Sequence, residues 1–189
     1  MLLAALALAG CSYSINGAAV PQPAFTAAAP ISTSSSSASS SNGAAPKIAK
    51  PRTVAGVDPC KMLDQADLKP IGPYKKPPTR QDDVIQESCA YVLEDGTPTS
   101  RTVVSALYQK FETVRDRQKG GQEQLVEGHS AWMYCQLSGP EQICAATIAV
   151  NANRSILVAM AQAGGVPDQM LAAMAPLFKA ALARIPAAP

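Results

Sequence analysis

The sequence predicts an α+β domain: an antiparallel sheet of about five strands, helices packed on one face, and disulfide staples. Three observations carry the prediction. Short strand-like runs recur between residues 89 and 161, separated by turn residues. An apolar stripe at helical spacing runs through Met170, Leu171, Met174, Leu177, Phe178, Ala181, Leu182 and Ile185. Four cysteines, Cys60, Cys89, Cys135 and Cys144, are spread through the same region.

Charge divides the chain into unlike parts. The 189 residues hold 16 basic and 14 acidic side chains, and none precedes Lys47. From Lys47 onward about a fifth of the residues are charged, which is the density of an ordinary globular domain. The net charge of +2 excludes a nucleic-acid binder that relies on bulk positive charge.

Residues 1–10, MLLAALALAG, have the length of a signal-peptide h-region and fall well below the roughly 20 residues of a membrane span. The basic residues that normally open a signal peptide are missing, which implies a start upstream or a truncated record. Cys11 follows at once, and Leu8-Ala9-Gly10-Cys11 resembles the lipobox of bacterial lipoproteins. That resemblance implies a diacylglyceryl group on the Cys11 thiol, cleavage before it, and an extracytoplasmic protein held to the cell membrane by lipid. Residues 11–53 are mainly Ala, Ser and Pro without apolar periodicity, as expected of a disordered tether. A flexible coil of some forty residues has a root-mean-square reach of about 35 Å. Residues 54–186 then form one globular domain.

Within that domain, Asp58-Pro59 reads as an N-cap with Pro at the first helical position, opening a helix through Leu68 that Pro70 stops. Lys75 to Asp83 is basic, Pro-rich and loop-like. Cys89 to Leu93 is a strand, Glu94 to Pro98 a turn, and Thr102 to Tyr108 the returning strand. Gln109 to Lys119 is a polar helix stopped by Gly120-Gly121. Ala131–Cys135, Cys144–Val150 and Ile156–Ala161 are three successive strands, the last two joined by an Asn151-Ala152-Asn153 turn. The C-terminal helix starts near Pro167 and stops at Pro186. On a 100° wheel Pro176 lies opposite its apolar stripe, where a proline can bend the helix around a core.

In an exported domain the four remaining cysteines form disulfides, and no Cys or His spacing suits zinc. Four cysteines allow three pairings. Cys135 and Cys144 bracket a hairpin turn, so Cys135–Cys144 is expected, which leaves Cys60–Cys89.

Candidate chemistry is sparse. Gly128-His129-Ser130-Ala131-Trp132 starts like a nucleophile elbow, but Trp132 replaces the closing Gly and His129 is the chain's single His. A turn leading into a strand is the simpler reading. Asp64 with Asp67, and Asp82 with Asp83, read as solvated surface charge. Met170 and Met174 read as core. No cofactor or metal is expected, and no catalytic residue is assigned.

The motifs Asp58-Pro59-Cys60-Lys61-Met62-Leu63-Asp64, Glu87-Ser88-Cys89-Ala90-Tyr91 and Glu127-Gly128-His129-Ser130-Ala131, followed by Cys144, stand in an order of their own. This order resembles actinobacterial secreted lipoproteins catalogued only as a domain of unknown function. The resemblance implies a lipobox, a tether, an Asp-Pro-Cys helix start and disulfides, and carries over no catalytic residue.

The expected function is a non-enzymatic binding or interaction module for an apolar ligand, a peptide or an envelope partner. The alternatives are a small carboxylate-dependent envelope hydrolase and a structural wall-associated protein. The expected ligand site is a groove between the bent C-terminal helix and the small residues Ala145, Ala146, Ala149, Ala159 and Ala161. The lipid assignment is tested directly. Full-length protein should partition into the detergent phase, and Cys11→Ser should release it or leave it unprocessed; unchanged processing and membrane retention in that variant would refute it.

Overall fold

The computed structural model describes residues 44–94 and 101–189. Cys11, the expected signal segment, most of the expected tether and most of the turn after Leu93 lie outside the described residues.

Seven strands form one fully antiparallel sheet: β1 (Thr79–Gln81), β2 (Ser88–Leu93), β3 (Arg101–Tyr108), β4 (Gln122–Val126), β5 (His129–Ser138), β6 (Glu141–Ala149) and β7 (Ser155–Ala163). Their order is β1-β2-β3-β7-β6-β5-β4. Strands β4 to β7 follow one another as a meander, so each turn only has to reverse the chain. The turn after β5 places Gly139 at φ 60° ahead of Pro140. In the turn after β6, the Asn151 side chain accepts hydrogen bonds from the amides of Asn153 and Arg154, both at 2.9 Å. The β3–β7 pair, from Thr102↔Ala161 to Tyr108↔Ser155, joins the meander to the earlier strands.

Two of the seven strands exceed the sequence expectation of about five. Both are edges. Strand β1 lies in the segment read as a Pro-rich loop, and β4 (Gln-Glu-Gln-Leu-Val) is exposed along four of its five residues. A strand solvated this widely needs no apolar alternation, so its sequence carries no strand signal.

The single helix expected from Asp58 to Leu68 is two pieces. A 3-10 turn spans Pro59–Lys61, capped by Asp58, and a separate α1 spans Gln65–Leu68. The break is at Asp64, which forms a reciprocal capping box with Asp67 and so restarts the helix. Helix α2 spans Phe111–Arg117 and α3 spans Pro167–Arg184.

Helices cover both faces of the sheet, not one. Helix α3 packs on β6 and β7 with Met170, Met174, Leu177, Phe178, Ala181 and Leu182 all buried. Pro176 stands exposed on its outer side, as the wheel requires. The 3-10 turn and α1 share this face. Their anchor is Tyr91, fully buried, whose hydroxyl lies 3.2 Å from the Pro59 carbonyl and 3.3 Å from Ser105 Oγ. Ser105 Oγ itself donates to Pro59 at 2.8 Å. Burial pushes the Tyr91 phenol pKa up, so the group stays a neutral donor. Helix α2 lies on the other face, where the Trp132 indole donates to the Gln118 carbonyl at its C-cap.

The docked domain also begins earlier than residue 54. The Ser130 amide donates to the Lys47 carbonyl at 2.8 Å, Arg52 N–H to Val150 at 2.9 Å, and Thr53 N–H to Pro186 at 3.0 Å. Residues 47–53 are therefore strapped across the sheet end and the end of α3, and the first charged residues of the chain, Lys47, Lys50 and Arg52, fall within this strap.

Disulfides join Cys60 to Cys89 and Cys135 to Cys144, with Cα–Cα separations of 5.0 and 4.1 Å. The second pair faces across β5 and β6 in direct register. Counting from the two-residue turn at Gly139-Pro140, this is a non-hydrogen-bonded pair, the position where opposed Cα atoms come closest. The first pair ties the 3-10 turn to the sheet across 29 residues of sequence. By loop entropy it contributes about 3.6 kcal/mol, and the hairpin pair about 2.7. Cys60→Ser with Cys89→Ser should therefore lower stability more than Cys135→Ser with Cys144→Ser, as read from denaturant midpoints. The reverse order would refute the loop argument.

Candidate functional site

The Gly128-His129-Ser130 stretch is a structural hairpin. Glu127 and Gly128, at φ 49° and 80°, are the two central residues of a type I′ turn between β4 and β5. His129 and Ser130 open β5 and so point to opposite faces. The His129 ring is 1% exposed, with Nδ1 2.7 Å from the Ala149 carbonyl oxygen. Ser130 Oγ donates to Glu123 Oε1 at 2.6 Å and accepts from the Lys47 amide at 2.8 Å. The serine and the histidine do not meet.

The carboxylate pairs are more than solvated charge. Asp64 and Asp67 cap α1, and both bind Arg184 from the last turn of α3, Asp64 at 2.6 Å. Backbone hydrogen bonding from Asp67 holds the Asp64 carboxyl below the usual range, with Arg184 adding to the effect. Asp82 Oδ1 accepts from the Glu87 amide at 3.0 Å and so closes the loop before β2. Asp83 accepts from the adjacent Val84 amide at 2.9 Å.

The groove expected beneath α3 is absent from that face. Met170 and Met174 are 2% and 0% exposed and complete the core. Of the five alanines, Ala146 alone belongs with the residues under α3. Strand alternation and the pairings Ala145↔Ala159, Ile143↔Ala161 and Ala149↔Ser155 put Ala145, Ala149, Ala159 and Ala161 on the opposite face. The helix closes its own side fully; on the other face Ala159 and Ala161 are part-exposed, while Ala149 is covered.

An open cleft of about 680 Å³ lies on that other face. One wall is the loop Asp83–Glu87, another the end of β3 at Leu107–Gln109, and the rest comes from Arg117 and Arg154. Ile85 and Tyr108 pack against a small cluster of Ala106, Ala145 and Leu157, with Ala159 beside it. Val84 stands 85% exposed at the lip. The row Val104–Ala159–Ala145–Tyr134 continues across the strands in register and is buried only in part.

The polar side is built around Arg154. Its Nη2 meets Glu87 Oε2 at 2.5 Å, and its Nε donates to the Tyr108 carbonyl at 3.0 Å. Arg117 donates to the Gln109 side chain and, at 3.2 Å, to the Thr113 carbonyl. Glu87 has φ 51°, a conformation that costs a non-glycine residue roughly 1 kcal/mol or more and that needs support from its surroundings. The support is on both sides: its amide goes to Asp82, and its carbonyl accepts from Leu107 at 3.0 Å. Loop, strand and arginine are thereby fixed together.

None of these cleft residues stood out in the sequence. They come from a loop, a strand end, a short helix and a turn, which share no local spacing. The one cue available was parity: alanines at odd positions of β6 and β7 cannot face the same way as Ala146.

The assignment of faces has a direct test. Ala161→Trp should fold with little loss of stability, because Ala161 is part-exposed on the open face. Ala146→Trp, wholly buried under α3, should cost about 3 kcal/mol or more through overpacking. Equal urea midpoints for the two variants would refute the assignment.

Among the described residues no helix is long and apolar enough to cross a membrane, and no group of three or more His, Cys, Asp or Glu is placed to hold a metal ion. Comparison with curated proteins gives no match, and comparison with solved structures gives none. Residues 6–172 match one family, and the chain belongs to it: DUF3558, described as a protein of unknown function.

Proposed function

We propose that this protein is a cell-envelope lipoprotein, anchored through Cys11, whose domain is a non-enzymatic binding module for an amphipathic ligand or an envelope partner. The observation that carries the reading is the cleft on the open face. It joins the apolar side chains Val84, Ile85, Leu107 and Tyr108 to a rim holding Arg154, Glu87, Arg117 and Gln109. Sites of this kind bury an apolar body and orient it through a few polar groups. The groups a hydrolase would use are committed elsewhere. His129 is tied to a backbone carbonyl, Ser130 to Glu123, Asp64 and Asp67 to the α1 cap, and Asp82 to the Glu87 amide.

Native mass spectrometry of the full-length protein extracted from its own envelope tests the reading. A bound amphiphile or peptide should accompany the wild type and be lost from Val84→Asp, which puts a charge on the exposed apolar lip of the cleft, while the unfolding midpoint is kept. Repeated recovery of ligand-free wild type would reject the small-ligand reading, and His129-dependent turnover of an ester or amide would overturn the non-enzyme reading.

A further inference from the structure

The cleft on the open face holds two kinds of charge. Arg154 and Glu87 neutralise one another at 2.5 Å and tie the loop to the end of β3. Arg117 and Asp83 line the same cleft, both exposed, and neither is in an ion pair among the described residues.

Both of these charges are held in place. Arg117 donates to the Gln109 side chain and, at 3.2 Å, to the Thr113 carbonyl, so its partners are neutral oxygens. A cation in the last turn of a helix is favourable in itself. Arg115 in the same turn is nonetheless compensated, pairing with Asp116 and donating to the Ala44 carbonyl at 2.9 Å. Arg117 keeps its charge and presents it at the cleft. On the loop wall, Asp83 Oδ1 accepts from the Val84 amide at 2.9 Å, which orients the carboxylate and leaves its charge uncompensated. A purely anionic ligand would meet Arg117 but be opposed by Asp83, and a purely cationic one the reverse. A ligand carrying both signs complements both.

We infer that the ligand is a zwitterionic amphiphile, with its anionic group on Arg117, its ammonium group on Asp83 and its apolar chain against Ile85, Leu107 and Tyr108. This rests on the reading of the cleft as an amphiphile site. Exposed ion pairs are individually weak, so each charged contact changes affinity by about fivefold or less.

Isothermal titration of the full-length chain as Cys11→Ser, which carries no lipid of its own to compete, tests this assignment. The probes share a dodecyl chain and are used below their micelle concentrations: dodecylphosphocholine, dodecyl phosphate, dodecyltrimethylammonium and dodecyl maltoside. Dodecylphosphocholine should bind tightest. Arg117→Gln should weaken dodecylphosphocholine and dodecyl phosphate by about fivefold without weakening dodecyltrimethylammonium. Asp83→Asn should weaken dodecylphosphocholine and dodecyltrimethylammonium by a similar factor without weakening dodecyl phosphate. Dodecyl maltoside should bind wild type and both variants equally. Equal affinity for every headgroup, or failure of both substitutions to separate the charged probes, would overturn the zwitterion while leaving the cleft an amphiphile site. If no probe binds, the amphiphile reading fails and this assignment with it.

Discussion

Every other feature of the domain answers one constraint: a sheet whose central strands are apolar on both faces has to be covered twice. Strands β6 and β7 lie inside the sheet, and eight of the nine residues of β6 are buried or partly buried. A single helix layer would leave half of that surface in water. The chain meets the demand with long α3 on one face, and with α2, the Asp83–Glu87 loop and a residual cleft on the other. The two coverings are unequal in length, and the cleft lies where the shorter one stops.

The two faces are stabilised by different means. Under α3 the core is dense and hydrocarbon, with Met174, Leu177, Leu182, Ile148 and Ile156 at or near zero exposure. It is cross-linked by the Cys60–Cys89 bridge and by the Tyr91–Pro59–Ser105 hydrogen bonds. Arg184 closes the rim by joining α3 to the capping carboxylates of α1, and its donation to the Met62 carbonyl at 3.1 Å adds a backbone contact. The other face relies on small side chains, the Arg154–Glu87 ion pair and a strained glutamate. A rigid closed side holding a lightly covered open side suits recognition at the open one.

What was legible in the sequence follows periodicity. The α3 stripe, from Met170 to Ile185, predicted both its buried face and the exposure of Pro176, because a helix against a flat sheet shows its pattern in a single turn-by-turn repeat. The cores of β2, β3, β5, β6 and β7 were legible for the same reason. Strands β1 and β4 were not, because an edge strand is paired on one side only and is solvated along most of its length. The split of the first helix was written in Asp64-x-x-Asp67, a cap signal overshadowed by the stronger Asp58-Pro59 start.

The sequence by itself determined the sheet-and-helix class, the terminal helix and its buried stripe, and the hairpin that brings Cys135 to Cys144, since each depends on residues near one another along the chain. Only the tertiary structure decided which side the alanines face, where the cleft lies, and that Glu87, Tyr108, Arg117 and Arg154 meet. Those contacts depend on the register of strands separated by dozens of residues. In a sheet, one step of register moves every side chain to the other face.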